Sequence, residues 1–219
     1  MKFEAILFDC DGVLVDSEPL TNQVLRDMLE ESGWSMTLVE CMAYFIGKTV
    51  REERDVIEAR TGQPLTQDWL NSFYRRRNEA LVARLEVVPG ARNAVQAAHD
   101  VTGGRIACAS GADRFKVEMQ LGKVDLLGFF EGRIFSGHEM PRSKPAPDVY
   151  LAAASHLNVP GQRCLVIEDT TVGITAGVAA GATVWAYSPQ PLGDAALLQA
   201  GANRLFRRMD DVPQLLAQL

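Results

Sequence analysis

The chain has 219 residues, of which 47% are hydrophobic and 23% charged, and its formal net charge is −6. This composition is typical of a globular protein with a sizeable core, and the acidic balance argues against nucleic acid as the main partner. No stretch of about 18 apolar residues and no signal-peptide pattern is found, so we expect a cytoplasmic protein without a membrane span. The four cysteines are scattered without zinc-ligand spacing, which favours reduced cysteines in the core.

The first predicted element is a buried strand near the N-terminus. Four apolar residues precede Asp9, Cys10, Asp11 and Gly12. Because side chains alternate along an extended backbone, Asp9 and Asp11 can point into one space while Cys10 points away. Two carboxylates this close need a cation between them or a shared proton. The stretch therefore predicts a magnesium phosphoryl-transfer site with Asp9 as nucleophile, although a plain turn would also favour Asp and Gly.

The block that follows, residues 16–86, shows helical patterns and no convincing strand. Besides a helix at its start, helices are predicted near 38–46, 51–60 and 66–86. The block therefore reads as a helical insertion, with the core domain predicted over residues 1–15 and 87–219.

From residue 88 onward, helices and strands alternate. Strands are predicted at 105–110, 133–135, 164–167 and 183–186, and the last of them completes the alternation. Helices are predicted at 91–99, 114–121, 147–157 and 173–180. Buried apolar strands separated by helices predict an α/β fold with a parallel sheet covered on both faces. The ligand site of such a sheet lies beyond the carboxyl ends of its strands.

Polar residues at these strand ends form one chemical set. The set consists of Asp9, Asp11, Ser110, Gly111, Glu168 and Asp169, to which a proline-stiffened loop adds Lys144. Four acids, a hydroxyl and a lysine are what a magnesium phosphoryl-transfer site requires, since magnesium takes hard oxygen ligands together with waters and substrate phosphate. We therefore expect Mg²⁺ as the cofactor.

These motifs resemble those of the haloacid dehalogenase superfamily, in its β-phosphoglucomutase-like, sugar-phosphate phosphatase branch. The resemblance covers nearly the whole chain and rests on residues 8–13, the helical block, residues 109–111, residues 144–148, and residues 168–170 with Gly173 and residues 176–177. It implies a Rossmann-like core with an inserted helical cap. It also implies a magnesium-dependent phosphatase acting on a small phosphorylated metabolite, such as a sugar or sugar-acid phosphate.

The resemblance further implies a role for each acid. Asp9 attacks phosphorus and becomes an aspartyl phosphate, while Asp11 protonates the leaving oxygen and then takes a proton from the attacking water. Magnesium would be held by the Asp9 carboxylate, the Asp11 backbone carbonyl and Asp169. Glu168 would act on the metal directly or through water, or would instead cap the following helix.

Three other residues of the core are implied to hold the phosphoryl group. Lys144 neutralises charge on Asp9 and on the phosphoryl oxygens. The hydroxyl of Ser110 and nearby backbone N–H groups hold the transferring group. Gly111 contributes only backbone, where members of the family often carry a small polar side chain.

The insertion supplies the predicted substrate-binding residues. Gly47, Lys48, Thr49 and Arg51 belong to a loop that in this family dips toward the site, and the alternative is a solvated basic loop. Arg77 is the possible counterpart of a basic cap residue of the mutases, and the alternative is a solvated helix face.

Three alternatives to a phosphatase remain at this point. A β-phosphoglucomutase would carry a cap histidine after the first motif, and residues 18–22 contain none, which favours the phosphatase. A phosphorylatable signalling module resembling a receiver domain has no use for the helical insertion or for Asp11, and a non-catalytic magnesium-binding protein leaves the acid set unexplained. We expect a monomer.

Overall fold

The computed structural model describes residues 3–191 and 193–218. The chain divides into two compact units, one formed by Met1–Val15 with Glu86–Leu219 and the other by Asp16–Leu85. The first unit contains a sheet with helices, and the described residues of the second are helical without a strand. Within the described ranges, no helix combines the length and the apolar character that crossing a membrane requires.

The first unit is built on a six-stranded sheet in which every neighbouring pair is parallel. The strands are β1 (Ala5–Phe8), β2 (Ile106–Ser110), β3 (Ile134–Ser136), β4 (Cys164–Glu168), β5 (Thr183–Tyr187) and β6 (Arg204–Phe206). Their order across the sheet is β3-β2-β1-β4-β5-β6. The predicted α/β class with a parallel sheet is therefore confirmed.

Eight α-helices of the described residues lie close to the predicted ones, and two more follow the last predicted strand, where the sequence predicted none. They are α1 (Glu18–Glu31), α2 (Leu38–Phe45), α3 (Arg54–Thr61), α4 (Gln67–Arg84), α5 (Ala91–Thr102), α6 (Arg114–Lys123), α7 (Asp148–His156), α8 (Thr171–Ala179), α9 (Asp194–Gln199) and α10 (Val212–Ala217). Short 3₁₀ turns, such as Leu127–Phe130, join several of these elements.

The sequence predicted that the alternation of strands and helices ends at β5, but in the structure it continues. Helix α9 leads on to β6, which pairs with β5 through Arg204 opposite Trp185. β6 has three residues, and of these only Phe206 is buried. A short strand at the edge of a sheet has too few apolar residues to produce a recognisable pattern, which is why the prediction stopped one strand early.

The side chains of β1 alternate between the two faces of the sheet. Leu7 lies in a buried cluster with Val149 of α7 and Ile174 of α8. Phe8 points to the opposite face, where its ring packs edge-on against Phe130 with ring centroids 6.1 Å apart. Both faces of β1 are thus covered, which explains its uninterrupted apolar sequence.

Three strand ends meet where the strand order reverses. β1 lies between β2 and β4, and the chain winds outward from it in both directions. The loops that leave such a switch point separate and open a crevice at the carboxyl edge of the sheet. Asp9 follows the last residue of β1, while Ser110 and Glu168 are the last residues of β2 and β4.

The second unit packs α1 to α4 around an apolar core of its own. Its buried residues include Leu25, Leu29, Phe45, Leu70 and Phe73. Helix α2 begins with a capping box between Thr37 and Glu40, and the N-cap of α4 is Thr66, whose side chain accepts the Trp69 N–H. These caps satisfy backbone donors that the first helical turn leaves unpaired.

Candidate active site

The carboxylate of Asp9 lies at the centre of a buried polar network. Its backbone N–H donates to the carbonyl of Ile167 on β4 at 3.0 Å, which fixes the residue just beyond β1. The ammonium of Lys144 donates to Asp9 Oδ1 at 2.5 Å, to Glu168 Oε1 at 2.8 Å and to the Tyr150 hydroxyl at 2.9 Å. All three donor positions of this lysine are therefore used inside the site.

The second oxygen of Glu168 is bound by the start of α8. Oε2 accepts from the backbone N–H groups of Asp169 and Thr170, both at 2.9 Å, and from the Thr170 hydroxyl at 3.0 Å. Oε1 accepts from Lys144 and, at 3.0 Å, from the Tyr150 hydroxyl. The Glu168 carboxylate thus makes the helix-entry bonds of a cap and the ion pair with Lys144 at the same time.

Burial governs the electrostatics of this network. The pKa of Asp9 is raised to about 7, chiefly by burial and further by the nearby charges of Glu168 and Asp11, against the lowering effect of Lys144. Burial alone would also raise the pKa of Glu168, but Lys144 and the helix-entry N–H groups bring it below its usual value. Burial opposes the charged form of Lys144, yet Asp9 and Glu168 raise its pKa well above the usual range. A nearby cation would therefore favour the ionised form of Asp9.

The carboxylate of Asp11 is held by helix α6. Lys116 Nζ donates to Asp11 Oδ1 at 2.8 Å, and Gln120 Nε2 donates to the same oxygen at 2.9 Å. The side chain of Asp11 is 16% exposed and that of Lys116 is 8% exposed. The two predicted catalytic acids therefore have different lysine partners, Lys144 for Asp9 and Lys116 for Asp11.

Two glycines allow the acids to approach the backbone. Gly12 has a φ of +77°, and a Cβ at this position would overlap the carboxylate of Asp169. Gly173 lies in the first turn of α8, where a Cβ would overlap the carboxylate of Glu168. Asp169 thus packs directly against the loop that follows β1, one residue beyond Asp11.

The loop after β2 is fixed by two hydroxyls. Ser110 is buried, and its Oγ accepts from the Ala112 N–H at 3.0 Å. Ser136 donates to the Ala112 carbonyl at 2.7 Å. Gly111 lies between these contacts, and a Cβ there would meet Ser143 Oγ at 3.9 Å. These contacts hold the loop in a defined conformation at the carboxyl edge of the sheet.

The donor set of the site fits Mg²⁺. Ionised Asp9, Asp11, Glu168 and Asp169 carry four negative charges against the two positive charges of Lys116 and Lys144. The described residues contain no group of three His, Cys, Asp or Glu side chains arranged as a complete metal cage. Magnesium does not need one, because it fills its octahedral shell with waters and substrate phosphate besides one or two carboxylates. A divalent cation would balance the excess of two negative charges.

The loop that follows α2 contains four of the predicted substrate-binding residues. Gly47 has a φ of +79°, and Lys48 Nζ lies 3.3 Å from Glu53 Oε1. Thr49 donates through its hydroxyl to Glu52 Oε2 at 2.8 Å. These bonds give the loop a defined conformation within the helical unit.

The two arginines predicted to bind substrate also have partners within the helical unit. Arg51 NH2 lies 3.5 Å from Gln67 Oε1 and is exposed. Arg77 is buried, donates to Asn78 Oδ1 at 2.9 and 3.1 Å, and stacks over the Tyr74 ring with its guanidinium carbon 5.1 Å from the centroid. The alternative of a solvated helix face is therefore wrong for Arg77, whereas the contact of either arginine with substrate stays a prediction.

Three polar residues of the site were missed at the level of sequence. Tyr150 is fully buried on α7 and contacts both Lys144 and Glu168. Lys116 and Gln120 reach Asp11 from a helix more than 100 residues away in sequence. The available signal was their spacing of four, which places two long polar side chains on one helical face.

Comparison with known proteins identifies one family of hydrolases. Residues 3–181 match the family model of haloacid dehalogenase-like hydrolases. The 6-phosphogluconate phosphatase of Escherichia coli (strain K12) is 29% identical over 191 residues, covering 87% of this chain and 85% of that protein. The phosphorylated carbohydrates phosphatase of Thermotoga maritima is 28% identical over 206 residues, covering 93% and 94%. A HAD family hydrolase from Deinococcus radiodurans R1, solved with bound phosphate and sodium, is 32% identical, with a TM-score of 0.82 over 99% of this chain and 96% of that one.

Proposed function

This chain belongs to the haloacid dehalogenase-like hydrolases, and from that premise we propose that it is a Mg²⁺-dependent phosphatase that hydrolyses a small phosphomonoester through an aspartyl phosphate on Asp9. The observation that carries the proposal is the buried Asp9 carboxylate at the end of β1, with the Lys144 ammonium 2.5 Å from its Oδ1. A carboxylate in this setting is a nucleophile whose charge is kept close to a fixed cation.

The first step transfers the phosphoryl group to the enzyme. A carboxylate oxygen of Asp9 forms a bond to phosphorus while the bond between phosphorus and the ester oxygen breaks. Asp11 gives its proton to that departing oxygen, which leaves as an alcohol. The second step reverses these roles: water attacks phosphorus, its proton goes to Asp11, and the Asp9–phosphate bond breaks to release inorganic phosphate.

Positioning and charge account for most of the catalysis in such a transfer. Lys144 neutralises Asp9 and, once the carboxylate is esterified, the phosphoryl oxygens. Ser110 and the backbone N–H groups around Gly111 bind the same oxygens as they pass through the transition state. The fixed loop after β2 supports this role, since it needs little rearrangement when charge develops.

The metal site is proposed to be formed by the Asp9 carboxylate, the backbone carbonyl of Asp11 and Asp169. Bound Mg²⁺ would supply the positive charge that the phosphoryl oxygens need during transfer. Glu168 is proposed to act through Lys144 and the start of α8, because both of its oxygens already accept hydrogen bonds from protein donors.

The substrate is proposed to be a sugar or sugar-acid phosphate. Two related phosphatases carry 6-phosphogluconate and phosphorylated carbohydrates in their names. Lys48, Arg51 and Arg77, together with the backbone of Gly47 and the hydroxyl of Thr49, are proposed to read its hydroxyls and negative charge. We further propose a cytoplasmic location, which the four buried cysteines without disulfides support, and a monomeric state.

The test is phosphate release from a panel of phosphorylated sugars, sugar acids, nucleotides and phosphoglycolate, with and without Mg²⁺. We expect magnesium-dependent multiple turnover concentrated on one ester class. Asp9→Asn should abolish it while leaving the fold intact, and Asp100→Asn, an exposed aspartate on α5, is the matched control. Full magnesium-dependent activity of Asp9→Asn would overturn the nucleophile assignment.

Two other outcomes would replace the proposal. Conversion of β-glucose 1-phosphate to glucose 6-phosphate without net phosphate release would indicate a β-phosphoglucomutase. A stable phosphorylated protein without turnover on any ester would indicate a phosphorylatable signalling module. Mass spectrometry of the intact chain after mixing with substrate separates these cases, because only a slow second step allows the aspartyl phosphate to accumulate.

A further inference from the structure

One face of helix α6 presents two polar side chains to a single oxygen atom. Lys116 and Gln120 are four residues apart, so they project from the same side of the helix on consecutive turns. Both donate to Oδ1 of Asp11, at 2.8 and 2.9 Å. The carboxylate is therefore held at two points by one rigid element.

This face of the helix is buried. Lys116 is 7% exposed and Gln120 is fully buried, and they share the inner side of α6 with Val117 and Leu121. A buried ammonium is costly unless it is paired, and Asp11 is the carboxylate that pairs with it. The contact is thus built into the core of the α/β unit, unlike an exposed ion pair such as Arg75 with Glu79.

The anchor of these two side chains is also well fixed. Helix α6 begins at the N-cap Asp113, whose side chain accepts the Lys116 N–H at 2.9 Å. At the next turn, Gln120 Oε1 lies 3.8 Å from the Sγ of Cys10, which precedes Asp11 in the chain. Gln120 therefore bridges the two residues that follow Asp9, and its amide orientation is determined by both contacts.

We propose that Lys116 and Gln120 are positioning residues that orient the Asp11 carboxylate for proton transfer. This inference rests on the proposed function, in which Asp11 donates to the leaving oxygen and later accepts from water. Holding Oδ1 fixes the rotation of the carboxylate about its side-chain bonds. Neither residue touches the substrate; both act through Asp11.

A kinetic signature follows from this role. General acid catalysis contributes on the order of 100- to 10,000-fold when the leaving group is a poor one, and misplacement of the acid loses part of it. A sugar alkoxide needs the proton, whereas p-nitrophenolate leaves without one. Loss of Lys116 should therefore slow sugar-phosphate cleavage far more than p-nitrophenyl phosphate cleavage.

The experiment compares kcat/KM, which reports the first phosphoryl transfer, for 6-phosphogluconate and p-nitrophenyl phosphate at saturating Mg²⁺. Lys116→Met should lower the value for the sugar-acid phosphate about tenfold or more and that for the aryl phosphate less than about threefold. Lys116→Arg should recover part of the loss. Lys123→Met, an exposed lysine on the same helix, should change neither value. If Lys116→Met lowers kcat/KM by the same factor for both esters, the proposal is overturned.

A second variant covers the case in which Lys116→Met does not fold. Gln120→Met removes one donor without leaving a buried charge unpaired, and the same leaving-group dependence is expected with a smaller amplitude. If Gln120→Met lowers kcat/KM equally for the two esters, or lowers it for neither, the positioning role is overturned.

A double-mutant cycle measured by urea unfolding tests the contact between Lys116 and Asp11 independently of catalytic activity. Lys116→Met should lower the urea midpoint strongly in the natural chain and much less in an Asp11→Asn background, because the buried pair is already broken there. An additive effect would show that Lys116 does not act on Asp11. A wild-type protein that releases no phosphate from any ester would overturn the proposed function, and with it the catalytic role of Lys116, whereas the cycle would still report the contact.

Discussion

The Nζ atom of Lys144 lies 2.8 Å from Oε1 of Glu168, and the side chains of the two residues are 7% and 1% exposed. The same ammonium contacts Asp9 and the hydroxyl of Tyr150. An isolated charge at this depth would be strongly unfavourable, so the cation and its carboxylates stabilise one another as a set. Because Lys144 contacts Asp9, Glu168 and Tyr150 together, protein groups fix the position of the Asp9 carboxylate.

Removing the Tyr150 hydroxyl tests how much it stabilises the ion pairs of Lys144 with Asp9 and Glu168. Tyr150→Phe keeps the ring in the core but deletes one acceptor of Lys144 and one donor to Glu168. We expect the free energy of unfolding to fall by about 1.5–3 kcal/mol, in the range of a buried hydrogen bond to charged groups, and kcat to fall about tenfold. Urea denaturation and steady-state kinetics measure the two effects.

Tyr74→Phe is the matched control, because it removes a tyrosine hydroxyl that lies in the helical unit and outside this network. We expect its stability to change by less than about 0.5 kcal/mol. A Tyr150→Phe variant as stable and as active as this control would show that the hydroxyl does not support Lys144.

Gly173 is predicted to be intolerant of any side chain. A Cβ at this position would overlap the Glu168 carboxylate and displace it from Lys144. We expect Gly173→Ala to destabilise the protein by about 3 kcal/mol and to abolish most activity. Gly128→Ala is the control, since a Cβ at Gly128 meets nothing within 4 Å and should change stability by less than about 0.5 kcal/mol. Equal stability of the two variants in urea would contradict the tight packing around Glu168.

The four cysteines should be unreactive in the native protein. All of them are buried and unpaired, and burial raises the pKa of both Cys41 and Cys164 to about 11. Since the thiolate is the reactive form, a thiol with a pKa near 11 is ionised in about one molecule in a thousand at pH 8. A thiol-disulfide reagent at pH 8 should therefore modify no cysteine in the native chain and all four after denaturation. Rapid modification of a native thiol would contradict this burial.

Much of the fold was predictable because its signals are local. The apolar run before Asp9 and the alternation of strands and helices after residue 88 indicated the parallel sheet, and the strand-end rule placed the acids at one edge. β6 was missed since three residues at a sheet edge carry almost no hydrophobic pattern. A local signal of that size is below what sequence periodicity can detect.

The partners of the acids were harder to predict than the acids themselves. Lys116 and Tyr150 lie inside amphipathic helices, where an inward polar side chain looks like one more position on a helical face. Their contacts depend on how a helix packs against a strand end that is distant in sequence. The spacing of residues within one helix does not predict such packing. For Glu168 the sequence allowed a metal ligand or a helix cap, and the hydrogen bonds to Asp169 and Thr170 are those of a cap.

Separate substitutions of Glu168 and Asp169 distinguish a positioning acid from a metal ligand. Asp169→Asn should raise the Mg²⁺ concentration for half-maximal activity about 100-fold or more, because it removes a ligand charge, with little loss of stability in the metal-free protein. Glu168→Gln should instead cost about 3 kcal/mol of stability, since it leaves Lys144 beside a neutral amide, and should shift the Mg²⁺ requirement less than tenfold. Magnesium titrations of activity and of thermal unfolding measure both. If Glu168→Gln raises the Mg²⁺ requirement as much as Asp169→Asn does, Glu168 binds the metal directly and its hydrogen bonds with Lys144 and α8 must rearrange when the ion enters.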